Sequence, residues 1–345
     1  MKKYLLFLLL SVAWFAVKAQ FNNGKEPYMT KALNNESIKD VEVETSGGSI
    51  SVSGGSASEA RIEVYITGNN GKNNLSKDEI KARLDELYDL NVSVANNKLT
   101  AIAKQKKQIH DWKRALNISF KVFVTKDVST DLSTSGGSID LDNLSGKQKF
   151  STSGGSLNLN NLSGSIDGQT SGGSINVENS RDDIELTTSG GSIDAKNCEG
   201  KLRLSTSGGS LELTGLKGEI RAVTSGGDVH GSNIEGELIS HTSGGSIHFS
   251  DLACSLETST SGGKIDVSMK DLGKYIKISN SGGNIDLQLP KNKGLDLDLS
   301  GTIADTHFEN FNGKINENEV NGKLNGGGIP VKVDAGSGKI YLALK

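Results

Sequence analysis

Glu212, His230, His248 and Asp266 follow one another at intervals of 18 residues, two imidazoles flanked by two carboxylates. If each interval is one turn of a stacked structure, the four side chains line up at steps of about 4.8 Å. Imidazole and carboxylate at that spacing have the donor chemistry to hold a divalent transition metal. The column also continues in both directions: Asp140, Asn158, Asn176 and Asp194 precede it, and Asp286 follows. A site is a local break in a pattern, and a uniform polar column is what solubility alone produces. A charge-compensated ladder is therefore the preferred reading, and no metal or cofactor is assigned. His241 is expected on a different strand, away from the ladder.

The same column bears on glycan hydrolysis, which needs a carboxylate pair at one or two positions. Here the acids are spread evenly instead. Sugar platforms also favour exposed aromatic rings, yet between Thr134 and Leu289 the only aromatics are Phe150, Phe249 and Tyr275. Phe150 and Phe249 fall at inward positions. A second cluster is basic: Lys104, Lys106, Lys107, His110, Lys113 and Arg114 surround Trp112. It has the composition to dock an acidic glycan or phosphate group, although a solvated surface tip is the plainer reading. Trp112, Lys106, Lys107, Lys113 and Arg114 are the candidate partner-binding residues, and no catalytic residue is assigned.

The elements that position these groups come from an internal repeat. Ser-Gly-Gly recurs with its first glycine at 136, 154, 172, 190, 208, 226, 244 and 262, then once more at 282 after a two-residue insertion. Earlier copies stand at Gly47 and Gly54. Within each repeat the apolar residues alternate, as in Ile139-Asp140-Leu141 and Ile175-Asn176-Val177, the period of a half-buried strand. A turn such as Leu144-Ser145-Gly146 follows. A second alternating strand ends at a threonine stacked from coil to coil: Thr152, Thr170, Thr188, Thr206, Thr224, Thr242, Thr260. Two strands and two glycine turns per 18 residues predict a parallel β-solenoid of about ten coils, right-handed by the usual crossover preference. The glycines are expected at backbone conformations of positive φ.

Two other repeat architectures fail. A hexapeptide helix needs apolar residues every six positions, but stepping from Ile139 gives Ser145 and Ser151. The calcium-binding nonapeptide roll needs a Gly and an Asp where this chain has Ile139 and Leu141.

The repeat is interrupted between Gly68 and Asn117. Ser76 is placed to cap a helix carrying Ile80, Leu84, Leu87 and Leu90 on one face. Residues 91–94 and 98–103 then read as a hairpin turned by Asn96-Asn97. This α/β insertion, residues 68–117, is expected to cap the first coil's open edge. After Leu289 the chain reads as irregular, with Gly336 to Leu342 resembling one last coil.

The N-terminus reads as an export signal. Lys2 and Lys3 precede an apolar stretch from Tyr4 to Val17, and cleavage after Ala19 is expected. Residues 1–19 are then the signal, 20–39 a linker and 40–345 the solenoid. No later segment is apolar enough to cross a bilayer, so the mature chain is expected to be exported and soluble. The formal net charge of −3 gives no footprint for nucleic acid. Cys198 takes an inward leucine position and Cys254 a turn position held elsewhere by Gly146 and Gly218. Three coils separate them, so two free thiols are expected, Cys254 the more reactive.

The Val-Glu-Val opening, the inserted helix and hairpin, Val128 to Leu132 and the Ser-Gly-Gly-Ser-Ile coils together resemble the DUF4097 family of adhesin-like proteins, over roughly residue 40 to the end. The resemblance implies an extracytoplasmic β-solenoid without an established catalytic site, and brings no functional residues with it. The expected function is a non-catalytic envelope protein, an adhesin or scaffold binding an extracellular glycan or protein ligand. The alternative is a polysaccharide-active β-helix enzyme, with a cleft built by the insertion or by residues 290–325.

Overall fold

The computed structural model describes residues 26–69, 75–304 and 307–345; the expected signal segment lies outside them. The alternating segments form the strands that the period of two demands, and they stack in parallel with a constant offset of 18 residues. One face is built from Ser145–Thr152, Ser163–Thr170, Arg181–Thr188, Glu199–Thr206, Lys217–Val223 and Glu235–His241. The other is built from Ile139–Asp142, Leu157–Asn160, Ile175–Glu178, Ile193–Lys196, Leu211–Thr214 and Val229–Ser232. The chain is an all-β parallel solenoid. Its core is a thin double ladder of inward side chains, including Ile139, Leu157, Ile175, Ile193 and Leu211 on one face, each fully buried.

Within the regular coils two large rings, Phe150 and Phe249, each stand against a glycine. Phe150 lies in register with Gly168, where an added Cβ would sit 2.3 Å from the Phe150 ring. Phe249 likewise pairs with Gly231, where a Cβ would sit 2.8 Å from its ring. Each large side chain borrows the volume of a glycine one coil earlier or later, which keeps packing dense without widening the coil.

The Ser-Gly-Gly glycines are not at positive φ, a correction to the sequence reading. Their constraint is steric. A Cβ on the second glycine would approach the carbonyl oxygen of the equivalent glycine one coil earlier, at 1.9 Å for Gly155 and 2.2 Å for Gly263. In the regular coils a Cβ on the first would meet only ordinary contacts, 3.6 Å for Gly154. Positive φ belongs to the opposite turn, at Gly146, Gly164, Gly200, Gly218 and Gly236. It is also found at Asn143, Asn161, Asn179, Asn197 and Asn233, since asparagine tolerates the left-handed region better than most residues.

The stacked threonines explain how so glycine-rich a turn is held. Thr152 Oγ1 donates to the Gly137 carbonyl of the preceding coil at 2.8 Å and accepts from Gly155 N–H at 3.2 Å. The same two bonds recur at Thr170, Thr188, Thr206, Thr224 and Thr242, up to small differences in the second, and Thr260 makes the first of them, to the Gly245 carbonyl. Asn280 does the same work with an amide after the two-residue insertion. A buried carbonyl and a buried N–H are thus satisfied by one hydroxyl.

At the N-terminal end the first coil consists of β2 (Asp40–Thr45) and β3 (Ile50–Gly55), preceded by β1 (Met29–Ala32). The chain then leaves the stack through β4 (Arg61–Gly68), α1 (Lys77–Leu87), β5 (Tyr88–Ala95), β6 (Lys98–Gln105) and β7 (Leu116–Thr125). It returns with β8 (Ser129–Thr134) and β9 (Ile139–Asp142). Strand β6 pairs in parallel with β2 and carries β5 antiparallel on its far side. Strand β7 covers β3, then β4 and β1 follow antiparallel. Each solenoid face is therefore continued past its first coil by an antiparallel extension, which ends the stack without an open parallel edge. Ser76 caps α1 as expected, accepting from Glu79 N–H at 3.1 Å. Asn96 and Asn97 turn the hairpin with φ of 52° and 61°. The helix stops at Leu87, and Leu90 belongs to β5.

The C-terminal residues are not irregular, a second correction. Leu295–Ile303, Glu319–Leu324 and Phe311–Asn316 form an antiparallel extension in that spatial order. The last strand, Ile329–Leu344, does form a final coil, but out of sequence order. Its first half lies between residues 276–280 and 295–299, parallel to both.

Both cysteines are free and 1% exposed, three coils apart and in different columns. Cys254 does occupy the turn column of Gly236. The expectation that it is the more reactive thiol is overturned. The next coil carries two extra residues and lies over it, with Leu272 in register. Burial pushes its thiol up to about 12, against about 11 for Cys198. Neither thiol should react with a chromogenic disulfide in the native protein at pH 8, and both should react after unfolding in guanidinium. Prompt labelling of Cys254 alone would contradict this.

Candidate functional site

The cap tip is built by a short 3-10 turn, Trp112–Arg114. Asp111 caps it by accepting from Lys113 N–H at 3.1 Å, and Arg83 from α1 steadies it by donating to the Lys113 carbonyl at 3.1 Å. The turn lifts Trp112 into solvent, where it is 58% exposed. That is unusual for the largest apolar side chain, and it is the strongest signal of contact on the cap.

The basic residues around it do not form a free positive patch. Arg114 bonds Glu86 at 2.6 Å and Lys107 approaches the same carboxylate at 3.4 Å. Lys106 donates to the Asp85 carbonyl at 2.8 Å and lies 3.5 Å from Asp89, and Lys104 pairs with Glu44 at 3.0 Å. The Arg114 guanidinium, with Lys107 behind it, holds the Glu86 carboxyl below its usual range. Acids of α1, β5 and β2, distant from the basic run in sequence, thus neutralise most of it. The structure brings the five candidate residues to one tip, with Trp112 and Lys113 exposed at it.

On the solenoid face, Glu212, His230, His248 and Asp266 do stand in consecutive coils, in register. The two imidazole rings are 6.3 Å apart between centroids and tilted by 56°. His248 Nδ1 is 3.4 Å from Asp266 Oδ2, while Lys264 lies 3.9 Å from Asp266 and closes on Asp286. Lys264 so competes for both carboxylates. Among the described residues no three His, Cys, Asp or Glu side chains converge on one point. His241 lies on the opposite face, bonded to Ser259 at 2.8 Å.

The first part of this column holds something the sequence reading missed. Asn158 Nδ2 donates to Asp140 Oδ1 at 2.7 Å, and Asn176 Nδ2 donates to Asn158 Oδ1 at 2.9 Å. This is a directional amide ladder, and equal 18-residue spacing of Asn was the available clue. Asp140 Oδ2 is buried without a partner. Burial raises the Asp140 carboxyl above its ordinary range, with the Asn158 bond opposing. A carboxyl raised in the fold costs stability once ionised, and that cost disappears as pH falls through its folded value. Asp140→Asn is therefore expected to raise the melting temperature at pH 7, with the gain shrinking toward pH 4. A loss at pH 7 would contradict the assignment.

The groove nearest the residues proposed for a catalytic cleft lies at the C-terminal extension. It has a volume of about 410 Å³ and is lined by Asp296, Asp298, Asn321, Lys323 and Lys332, among others. Asp298 lies 3.6 Å from Lys332. Asp296 and Asp298 sit two residues apart on one strand, so both carboxylates come from the same wall of the groove.

Residues 200–343 match the family model described as Toastrack DUF4097. No curated protein matches the chain. Similar solved structures include one described as "a putative cell adhesion protein" from Clostridium sporogenes ATCC 15579, 12% identical, covering 92% of this chain and 98% of its own, with a TM-score of 0.20. Another, "a putative adhesin" from Bacteroides fragilis NCTC 9343, is 18% identical and covers 73% of this chain and 96% of its own, with a TM-score of 0.33. The DUF4097 match contains the Glu212–Asp266 column, the C-terminal groove and the last coil, whereas the cap tip at Trp112 lies outside it. Among the described residues no helix is long and apolar enough to cross a membrane.

Proposed function

We propose that this chain is an exported, non-catalytic envelope protein that binds a partner through its cap tip, with the solenoid as a rigid, multivalent spacer. The observation that carries this reading is Trp112, held 58% exposed on a capped turn with most of the surrounding basic charges already paired. A rigid exposed indole offers contact area at little entropic cost, while the compensated charges around it supply a polar rim. The DUF4097 match and the apolar stretch after Lys2 and Lys3 support export to the envelope or beyond. Repetition of like chemistry along the solenoid suits extended contact, whereas catalysis needs one preorganised, water-excluding pocket.

The test is to incubate the purified chain with envelope polysaccharides and host-type glycans, measuring retention and release of reducing ends together. Retention without release is expected. Turnover that disappears on Asp298→Asn or Asp296→Asn would replace this reading with a glycan-cleaving one.

A further inference from the structure

The last strand occupies a slot that the preceding chain has already framed. Val331 and Val333 lie between Ile276 and Ile278 on one side and Leu297 and Leu299 on the other, with backbone pairing on both, and Ala335 pairs with Asn280. The side chains of Val331, Val333 and Ala335 are buried, as is Ile340 further along the strand. By sequence order the neighbour of residues 276–280 would be 295–299, which carry the same alternating pattern, Leu295-Asp296-Leu297-Asp298-Leu299. Two segments of one chain thus have the pattern that this edge accepts, and the later one holds it.

The connection that allows this is unusual. Leu324 ends a strand on the far side of 295–299, and Ile329 starts the inserted strand on its near side. Residues 325–328 must cross over the start of that strand within four residues. Asn325, Gly326, Gly327 and Gly328 do so at φ of 49°, 88°, 83° and 149°. Four consecutive residues at positive φ make a turn that few other sequences would adopt. Short hinges beside a terminal element are where exchange between copies arises.

We infer that residues 329–344 form an exchangeable strand, and that the slot between 276–280 and 295–299 accepts the same strand from a second copy of this chain. The occupant is fixed by the structure, because the second copy brings the residues already seen to fill the slot. Opening the 325–328 hinge lets the strand run outward, and reciprocal insertion restores every buried contact in both copies.

The test uses two full-length single-cysteine-addition variants, Lys277→Cys and Lys332→Cys, whose positions are in register across the slot. Both residues are exposed and make only surface ion pairs, so their removal costs little. Equal amounts are mixed, unfolded, refolded together at high concentration and oxidised. A disulfide-linked dimer is expected in this mixture, at least several-fold above that in a control mixture of Lys277→Cys and Lys149→Cys. Deleting Gly326 and Gly327 shortens the crossing and should raise the dimer fraction further, read by light scattering after gel filtration. Crosslinking no greater than the control, in chains that have refolded to the native melting curve, overturns the proposal. Should the deletion prevent folding, the refolding mixture with the native hinge still decides.

Discussion

Replacing Gly173 by alanine is expected to destabilise the protein by about 3 kcal/mol or more, while the same change at its neighbour Gly172 stays within about 1 kcal/mol. The two glycines look alike in the sequence, and the difference lies in what a Cβ would meet. At Gly173 it would stand 1.9 Å from the Gly155 carbonyl oxygen and 2.4 Å from its carbon. Both are backbone atoms, locked by the Thr170 and Thr188 bonds on either side. No rotamer change relieves that clash, so the coils must separate locally and surrender ladder hydrogen bonds. At Gly172 the nearest atom would be 3.6 Å away. Thermal unfolding of the two variants checks this, at about 2 °C per kcal/mol for a chain of this size. Equal melting temperatures would mean that the coils are not stacked through the second glycine.

The second large effect lies in the core. Gly168→Leu alone should cost about 3 kcal/mol by overpacking, because the new side chain would run into Phe150 and Leu186. Phe150→Leu alone leaves a void and should cost about 1–2 kcal/mol. Made together, the two changes give a column of leucines from Leu132 to Leu204 through Leu186, a pattern this chain already uses. The double variant is expected to recover about 2 kcal/mol relative to the sum of the singles, within the range seen for contacting pairs. Additive losses in denaturant titrations would show that Phe150 does not fill the Gly168 space.

The fold was legible because an 18-residue period and an alternating pattern admit few structures, and both faces follow from them. The Asn96-Asn97 hairpin and the Ser76 cap were equally plain, since each is a local signal of a few residues. What escaped were features set by chain segments far apart. The neutralisation of Lys106, Lys107 and Arg114 depends on Asp89 and Glu86, whose approach requires the helix to fold beside the tip. Cys254 looked exposed from its column, but the following coil, longer by two residues, covers it. The last strand's position could not be read from order at all, because 295–299 and 331–335 have the same pattern and only their competition for one edge decides. The role of the second glycine was misassigned for a related reason. Sequence names the residue but not the carbonyl of the neighbouring coil that forbids a side chain there.

The most direct test of the account is binding to an envelope preparation by the wild-type chain and by Trp112→Ala. Surface-exposed aromatic anchors that dominate an interface lose about 2 kcal/mol or more on truncation, some 30-fold in affinity. The account predicts that scale of loss with an unchanged melting temperature, since Trp112 buries little in the free protein. His230→Gln, on the solenoid face, should bind as the wild type does. Undiminished binding by Trp112→Ala, with loss on His230→Gln instead, would contradict it and move the contact to the solenoid face.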